Sequence, residues 1–308
     1  METGSHTDHK TQTLSGCPYF FTANGQLRNK VTGEPYVSRV NCRDVQSTQQ
    51  EHTAICSIIT NHVRSLLESQ LQLQKVLLPQ GEGFVYMTPR ALYNKKALLV
   101  LIPDAGTVPC GVWSWRTVVR DGLNYGCQVP YVLWAMGENW GVLLMNPNEG
   151  RGTPEEHVSR VWDRHISQSA AEHVLVVAHG YGGLAFVDWL CRQAAGAESR
   201  VSAVAFIDSS HNVWHQHLGA DKHAWLRAHS RKWVLSNKPL NGPVGTLRAG
   251  MQLSAGTLCH GSAPAVCMQS VFRFFAKAIR PKPLPIPFSI ITRSRRRALK
   301  MDCHNYSK

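Results

Sequence analysis

The sequence predicts an α/β fold built on a doubly wound, mostly parallel sheet. Continuous apolar runs bounded by turn residues, such as ALLVLI (97–102) and GVLLMNP (141–147), are typical of strands buried on both faces of a parallel sheet. Segments in which apolar residues recur at helical spacing alternate with these runs. Alternating strands and helices predict parallel strands joined by helical crossovers, with ligands expected at the carboxyl ends of the strands.

The N-terminal part is predicted to form a β-hairpin followed by a helix. Residues 19–37 carry Asn24-Gly25 and Thr32-Gly33 between short aromatic and aliphatic stretches, which favours a hairpin. A helix is then predicted because the following side chains recur at helical spacing: Ala54, Ile55, Ile58, Ile59, His62, Val63, Leu66 and Leu67.

The clearest predicted helix begins after Thr153. This residue is a suitable N-cap, Pro154 suits the first turn, and Glu156 stands where it can complete a reciprocal capping box. The inner face of this helix is predicted to consist of Val158, Val161, Trp162, His165 and Ile166. Farther along the chain we predict a strand at 173–178, a helix at 184–195, strands at 201–208 and 232–236, and a final helix around 271–279.

Composition divides the chain into three parts. Residues 1–16 are polar and predicted to be disordered, residues 17–280 are predicted to fold, and residues 281–308 form a Pro-rich, basic tail. Residues 277–308 carry nine Lys and Arg against one Asp, in a chain of net charge +13. The basic character therefore belongs to the tail rather than to a nucleic-acid-binding face. We expect the tail to give only weak, nonspecific, salt-sensitive contact with nucleic acid.

Other features argue against several classes of protein. No apolar run reaches the ~18 residues of a membrane span, and no signal peptide is evident, so we expect no membrane partner and a location in the nucleus and cytoplasm. The nine cysteines include no Cys-x-x-Cys pair and are expected to be reduced, mostly buried thiols. Without a P-loop or a Gly-x-Gly-x-x-Gly motif, we expect no nucleotide cofactor, and we predict no cofactor of any other kind.

The segment VLVVAHGYGGLAF (174–186) raises the functional question. An apolar strand that turns sharply through glycines into a helix is typical of the nucleophile elbow of serine hydrolases, which reads small-x-Ser-x-small. Here Ala178 and Gly182 are the small residues, but Gly180 stands in the place of the nucleophile and has no side chain. A plain tight turn is the alternative interpretation, and the shortness of the motif favours it.

Two more residues follow the hydrolase chain order of nucleophile, acid and His. Asp208 ends a predicted strand and His260 lies in a late loop, so both fit a vestigial triad; a turn cap and a surface-loop His are the alternatives. Oxyanion donors should come from the backbone of Tyr181 and from the loop after strand 97–102. That loop begins with Pro103, which has no N–H, and Asp104, which is negative, so we predict poor oxyanion stabilisation.

A histidine-rich stretch offers a possible metal site. His211 and His215 in HNVWHQH have the i, i+4 spacing of a zinc-binding helix, and His217 follows them. Asn212, however, occupies the position of the catalytic Glu, and no distant third ligand is evident. We therefore predict polar packing and no metal site.

Several longer stretches resemble the Arb2 family (Arb-two, argonaute-binding protein two), especially its vertebrate cotranscriptional regulators. They are NGQLRNKVTGEPYV, GVLLMNPNE, TPEEHVSRVWD, AHGYGGLAFV, DSSHNVWH, the late SAGT…H and VFRFF, spanning about residues 19–276. The resemblance implies an α/β-hydrolase-like fold. Some members carry an elbow Ser and a His-Gly loop, where this chain has Gly180 and Pro103-Asp104. Asp208 and His260 match the presumed acid and base.

The resemblance also implies a function. The family is linked to Argonaute, to small-RNA-guided heterochromatin and to splicing control, so we expect a nuclear adaptor that binds Argonaute and chromatin or splicing proteins. The departures at the catalytic positions predict a pseudoenzyme. Two alternatives stay open: a degenerate paralogue without function, such as a pseudogene product, and a residual serine-type hydrolase that uses Ser209 or Ser210.

The tail contains a compact basic cluster that suits recognition by the nuclear import machinery. A solvated charged tail without a reader is the alternative interpretation. The cluster consists of Arg293, Arg295, Arg296, Arg297 and Lys300.

Overall fold

A nine-stranded sheet forms the centre of the fold in the computed structural model, which describes residues 18–37, 45–194, 196–211, 216, 218–247 and 250–280. Its strands are β3 (Gln74–Leu77), β4 (Phe84–Met87), β5 (Ala97–Ile102), β6 (Gly141–Leu144), β7 (His173–His179), β8 (Val201–Ile207), β9 (Ser230–Val234), β10 (Pro243–Leu247) and β11 (Gly250–Ser254).

The sheet is mostly parallel, as predicted. The strand order is β10-β11-β9-β8-β7-β5-β6-β4-β3. The strands from β11 to β6 in this order run parallel to one another, whereas β10 at one edge and β4 and β3 at the other are antiparallel to their neighbours. The central strands β5, β7 and β8 are therefore flanked on both sides, and their apolar runs are buried.

Helices cover both faces of the sheet, which confirms the doubly wound α/β fold class. They are α1 (Val45–Ser65), α2 (Trp115–Asp121), α3 (Leu123–Gly126), α4 (Val129–Gly137), α5 (Pro154–Val161), α6 (Tyr181–Arg192), α7 (Ala220–His229) and α8 (Ala263–Ala278). Leu98 and Val100 of β5 pack in one core with residues of α5 and α6. The intervening Leu99 and Leu101 point to the opposite face and are equally buried.

The predicted hairpin and the capped helix are both present. Strands β1 (Tyr19–Phe21) and β2 (Leu27–Asn29) pair antiparallel, and the Gly25 N–H donates to the Thr22 carbonyl in the turn, 2.8 Å away. Helix α5 has both bonds of the capping box formed by Thr153 and Glu156. An unpredicted π-helical turn, Trp162–Ile166, continues this helix, and a second one, Leu66–Gln70, continues α1.

Several boundaries differ from the prediction. Helix α6 begins at Tyr181 instead of 184, because the turn at Gly180 is completed within one residue. Helix α8 begins at Ala263, where Pro264 occupies the first turn, instead of near 271. The sequence patterns also missed several short strands near the sheet edges and four helices: β3, β4, β10, β11, α2, α3, α4 and α7.

The chain divides into two compact units, Met1–Ala278 and Ile279–Lys308. The first unit holds every element named above. Residues 1–17 and 281–308 lie outside the described residues, as does the basic cluster predicted for nuclear import, so the predicted boundaries of the disordered segment and of the tail stay predictions. Within the described part of the chain, no helix combines the length and the apolar character needed to cross a membrane.

Candidate functional site

The elbow at the end of β7 has the geometry of a sharp strand-to-helix turn. Gly180 has φ +53° and ψ −123° and immediately precedes helix α6. This conformation is strained for a residue with a side chain, and glycine adopts it without a Cβ clash. A Cβ at Gly180 would overlap the carboxylate of Asp104, and a Cβ at Gly182 would overlap the carbonyl of Pro103. The absence of side chains at these positions lets the loop after β5 lie directly on the elbow.

The carboxylate of Asp104 fills the space in front of Gly180. Its Oδ1 accepts the backbone N–H of Tyr181 at 2.6 Å and that of Ala105 at 2.9 Å. These two donors come from the residue after the elbow position and from the loop after β5, where an oxyanion hole draws its donors. Pro103 offers no donor, as its residue type requires, but Ala105 of the same loop does, and both N–H groups are occupied by the carboxylate of Asp104.

His260 links Asp104 to Asp208. Its Nε2 lies 3.0 Å from Oδ2 of Asp104, and its Nδ1 lies 2.6 Å from Oδ2 of Asp208. Asp208 directly follows β8 with a positive φ of 40°, and its backbone N–H donates to the carbonyl of Trp233 at 2.7 Å. The structure thus brings these three predicted residues together. We call Asp104, His260 and Asp208 the carboxylate–histidine cluster.

Electrostatics keep His260 positively charged. Hydrogen bonds to Asp104 and then to Asp208 raise the pKa of His260 to about 9. The hydrogen bond from His260 is the main cause that lowers the pKa of Asp208. Burial by itself raises the pKa of Asp104, but the hydrogen bonds from His260 and from the Tyr181 N–H outweigh it, and the net shift is downward. At neutral pH the cluster is an imidazolium between two carboxylates, in which both ring nitrogens donate and neither can accept a proton.

A second histidine, which the sequence analysis did not identify, packs against His260 of the cluster. His179 is fully buried, and its ring stacks on that of His260 with centroids 4.1 Å apart. Its Nε2 donates to the carbonyl of His260 at 3.1 Å, because a carbonyl can only accept. Burial lowers the pKa of His179 to about 4, so the ring is neutral. Its position in the elbow, just before Gly180, is the signal that could have identified it.

The loop that carries Asp104 is held in place by Asn148. The side-chain amide of Asn148 donates to the carbonyls of Asp104 at 2.8 Å and Val108 at 2.9 Å. Its Oδ1 accepts the N–H of Gly106 at 2.9 Å. These bonds fix the backbone from Asp104 to Val108, so the carboxylate of Asp104 is directed at the elbow by the loop itself.

The serines considered as alternative nucleophiles lie beyond β8. Ser209 is buried, and its hydroxyl pairs with Nδ1 of His211 at 2.7 Å. A Cβ at Gly183 would overlap this hydroxyl, so Ser209 packs against helix α6. Ser210 uses its N–H to bond the Gly180 carbonyl at 2.9 Å. Within the described chain, Ser209 has His211 as its histidine partner, and His260 is engaged by the two carboxylates.

The structure describes only part of the predicted histidine-rich stretch. Burial lowers the pKa of His211 to about 3, whereas His215, His217 and Asn212 lie outside the described residues. Among the residues that are described, no three His, Cys, Asp or Glu side chains are placed to hold a metal ion.

One cysteine lies beside the cluster. The Cys259 Sγ is 3.5 Å from the guanidinium of Arg120 and 3.3 Å from the Ser262 hydroxyl. Burial raises the pKa of this thiol, but the hydrogen bonds from Ser262 and Arg120 outweigh it and lower the pKa to about 7. All cysteines whose pairing the structure describes are free: Cys56, Cys110, Cys127, Cys191, Cys259 and Cys267.

A protein-family model matches most of the folded unit. The model of the Arb2 domain matches residues 10–151 and 149–240. The chain belongs to the Arb2 domain family. Named relatives of this Arb2 chain include the chicken cotranscriptional regulator ARB2A homolog, 34% identical over 88% of this chain and 81% of the relative. Human cotranscriptional regulator ARB2A is 32% identical over 92% of this chain and 85% of the relative. Human putative protein ARB2BP is 30% identical over 92% of this chain and 94% of the relative.

Solved structures share the fold at low sequence identity. A histone deacetylase from Saccharomyces cerevisiae matches with a TM-score of 0.53 at 12% identity, over 73% of this chain and 98% of the other. The histone deacetylase Clr3 matches with a TM-score of 0.52 at 16% identity, over 80% of this chain and 42% of the other. At such identities the likeness concerns the fold alone. The Arb2 chain therefore shares an α/β architecture with these two deacetylases, in agreement with the α/β fold class that its sequence predicts.

Proposed function

We propose that this Arb2 chain is a non-catalytic nuclear adaptor, in which a hydrolase-like fold presents surfaces to other proteins. One observation carries the loss of catalysis: the carboxylate of Asp104 stands where a nucleophile side chain would stand. It takes both oxyanion donors and keeps His260 protonated. A general base must have a free lone pair at working pH, and His260 has none.

The adaptor role is supported by the relatives, which are named cotranscriptional regulators. By family resemblance, the proposed partners are Argonaute and chromatin or splicing proteins, with action in small-RNA-guided heterochromatin or cotranscriptional splicing. The chain is proposed to reside in both nucleus and cytoplasm. The basic tail adds weak, nonspecific contact with nucleic acid.

Affinity purification tests the adaptor role. The tagged full chain is recovered from nuclear extract at low salt, with the tag alone and the heat-denatured tagged chain as controls. We expect Argonaute-containing, chromatin or splicing proteins to be enriched over both controls. Recovery of none of them would contradict the adaptor role and favour the alternative of a paralogue without function.

Chemical labelling tests the loss of catalysis separately. We expect no labelling of the unmodified chain by a serine-reactive fluorophosphonate probe, and none of Gly180→Ser, because the new side chain would overlap Asp104. Loss of one triad member leaves a residual ~10³–10⁴-fold catalysis over water, and loss of one oxyanion donor costs about 10²–10³-fold more.

The smallest repair combines Gly180→Ser, Pro103→His and Asp104→Gly, because it supplies a hydroxyl and frees both the oxyanion donors and His260. The matched control adds His260→Ala to the same three changes. Labelling of the triple variant that disappears in the control would show that the hydrolase geometry persists beneath Asp104. Robust ester hydrolysis by the unmodified chain, unaffected by His260→Ala, would overturn the assignment of this site as the vestige of the catalytic centre.

A further inference from the structure

One edge of the central sheet is exposed and unprotected. The sheet ends at β3, which pairs with β4 on one side and with no described strand on the other. Three of its four residues are exposed, and Leu77 keeps 73% of its surface accessible. The opposite edge strand, β10, carries Pro243, which has no N–H, and an irregular register after it. Proline and bulges protect a sheet edge from further pairing, and β3 has neither.

The backbone of β3 offers four hydrogen-bonding groups at this edge. The Leu78 N–H donates to the carbonyl of Gly83, the residue before β4, at 2.9 Å. Because successive residues of an antiparallel strand direct their N–H and C=O groups to opposite sides, Val76 faces β4 as Leu78 does. Lys75 and Leu77 therefore face outward. Among the described residues, no hydrogen bond outside the sheet engages the backbone of either one.

The available stretch of backbone is short. Before it, the Leu73 N–H already donates to the Leu67 carbonyl at 2.8 Å, and after it the chain enters the short helix Pro79–Gly81. A partner strand can therefore pair with Lys75 and Leu77 through at most four hydrogen bonds. Addition of an extended peptide segment to a sheet edge is a recurring mode of protein recognition.

Lys75 brings a positive charge without a counter-ion to this edge. Its Nζ lies 4.1 Å from the centroid of the Phe84 ring on β4, so the ammonium is turned away from the edge that a lysine often shields. No described carboxylate lies within ion-pair distance of it. The carboxylate of Glu68 is bonded instead to the hydroxyl of Tyr86, the residue opposite Lys75 on β4.

The side chains of β3 specify what a partner strand should carry. Residues that stand opposite each other in a sheet project their side chains to the same face. A partner residue opposite Leu77 therefore meets an exposed apolar side chain, and one opposite Lys75 meets an uncompensated positive charge. In antiparallel pairing, the partner residue opposite Leu77 comes first and the one opposite Lys75 follows two positions later. The fitting sequence is an apolar residue, any residue, and then Asp or Glu.

We propose that β3 is a docking edge for an extended segment of a partner protein. The segment adds as an antiparallel strand, with an apolar residue opposite Leu77 and an acidic residue opposite Lys75. This proposal rests on the adaptor role proposed above and adds to it the surface and the chemistry of the partner segment. Three strands, β4, β6 and β5, separate the docking edge from β7 and its elbow.

Peptide binding to the purified full chain tests the docking edge without a cellular partner, so its failure is distinct from a failed affinity purification. The probe is an end-blocked eight-residue peptide of Thr with Val at its third and Glu at its fifth position. One matched peptide carries Lys in place of Glu, and another an N-methyl group on the Val nitrogen.

We expect the Glu peptide to shift the backbone ¹⁵N–¹H signals of Lys75 and Leu77 saturably. The N-methylated peptide should shift neither signal, because it cannot donate to the Leu77 carbonyl. The Lys peptide should bind at least about threefold more weakly than the Glu peptide, because like charges then face each other. Equal binding of the N-methylated peptide, or no shift of either signal at ~5 mM Glu peptide, would overturn the proposal.

Charge reversal at Lys75 separates pairing at β3 from general attraction to a basic protein. Lys75→Glu should reverse the preference, so that the Lys peptide binds at least about threefold more tightly than the Glu peptide. Lys95→Glu is the matched control, because it makes the same change at another exposed lysine and should keep the wild-type preference. The same preference in both variants contradicts the proposal. If Lys75→Glu does not fold, Lys75→Gln should abolish the preference.

Two further results would assign the docking edge to another occupant. Signals of Lys75 and Leu77 that shift when the chain alone is diluted would show that a second copy pairs with β3. Slow hydrogen exchange of both amides in the dilute chain would show that another segment of the same chain already pairs with them. Either result would overturn the proposal, and we expect neither.

Discussion

Asp104 is the residue whose charge organises the carboxylate–histidine cluster. Its Oδ1 accepts hydrogen bonds from the backbone N–H groups of Tyr181 and Ala105, and its Oδ2 accepts the hydrogen bond from the Nε2–H of His260. Asp208 holds the other nitrogen of the same ring. The ring therefore carries its proton because it has a carboxylate on each side, and removal of either carboxylate should release that proton at lower pH.

Asp104→Asn should lower the pKa of His260 from about 9 by at least about one unit. The substitution keeps the shape of the side chain and the acceptor for the Tyr181 N–H, but removes the negative charge beside Nε2. The measurement is a pH titration of the His260 ring signals by NMR. Asp221→Asn, at an exposed position in α7, is the control and should leave the value unchanged. A pKa that stays near 9 in Asp104→Asn would show that Asp208 alone determines it.

Among the six cysteines that the structure describes, Cys259 should be the thiol most reactive toward iodoacetamide at pH 7.5. Its pKa of about 7 gives a substantial thiolate fraction, and Arg120 stabilises that thiolate. Mass spectrometry after a short exposure should find it alkylated first. Arg120→Ala should slow the reaction several-fold, and preferential alkylation of a buried cysteine would contradict the expectation. Burial raises the pKa of three comparison thiols: Cys110, Cys127 and Cys267.

At the scale of elements, helix α5 shows how local sequence places a segment of the fold. The Thr153 hydroxyl accepts the N–H of Glu156 at 3.3 Å, and the Glu156 carboxylate accepts the N–H of Thr153 at 3.0 Å. Thr153→Ala should therefore lower the free energy of unfolding by about 0.5–2 kcal/mol in urea denaturation. Thr53→Ala, which changes an exposed threonine within α1, should stay within about 0.5 kcal/mol of the wild type. Equal losses in the two variants would show that the cap contributes nothing specific.

The central elements could be predicted because their signals are local. The run 97–102 is strand β5 without a change of boundary, and the capping box of α5 is formed as its residues indicate. The edge strands β3 and β10 have only four and five residues, and their conformation depends on pairing with neighbouring strands. The sequence of so short a segment does not predict that pairing. The π-helical turn after α5 likewise depends on packing.

The candidate site, like the fold, could be predicted from the sequence only in part. Chain order and strand ends pointed to Gly180, Asp208 and His260, and the structure places them together. The sequence could not show that Asp104 reaches into the elbow, because this depends on a contact between two loops 77 residues apart in the chain. The sequence also could not show that the ring of His179 stacks on that of His260. A single neutral histidine at the end of an apolar strand leaves the apolar sequence pattern of that strand unchanged.

At the scale of the whole molecule, the cluster should make stability depend on pH. The raised pKa of His260 contributes stability that is fully present below its ordinary value of 6.5 and is lost as the pH rises through about 9. The lowered pKa values of Asp104 and Asp208 contribute stability that is present above the ordinary value of 3.8 and is lost as the pH falls below it. The stabilisation is therefore greatest between these limits.

Urea unfolding of the wild type and of His260→Ala across pH 4 to 10 measures this contribution. We expect the difference in free energy of unfolding to be largest near pH 5–6 and to shrink toward pH 9 and above. His165→Ala, which removes a half-buried histidine from the π-helical turn after α5, serves as the comparison and should not follow this profile. A difference between wild type and His260→Ala that is constant with pH would mean that the cluster contributes packing and no charge-dependent stability.

Deletion of residues 289–308 should move a tagged chain toward the cytoplasm. The deletion removes the basic cluster that we propose for recognition by the import machinery: Arg293, Arg295, Arg296, Arg297 and Lys300. Replacement of these five residues by Gln, at full length, is the matched control for the loss of the other tail residues. Fluorescence imaging of the two variants measures the nuclear fraction. An unchanged nuclear fraction in both variants would mean that the charged tail has no role in import.

The tethering of Asp104 has a consequence for any molecule directed at the elbow. Asn148 fixes the backbone of the loop that carries Asp104, so the carboxylate competes as an intramolecular ligand. The effective concentration of such groups ranges from millimolar for flexible links to ~10⁵ M or more for well-oriented ones. A free acid or ester at millimolar concentration should therefore fail to displace it. Compounds selected against active serine hydrolases should not bind at this elbow, so the protein can serve as a counter-screen for their selectivity.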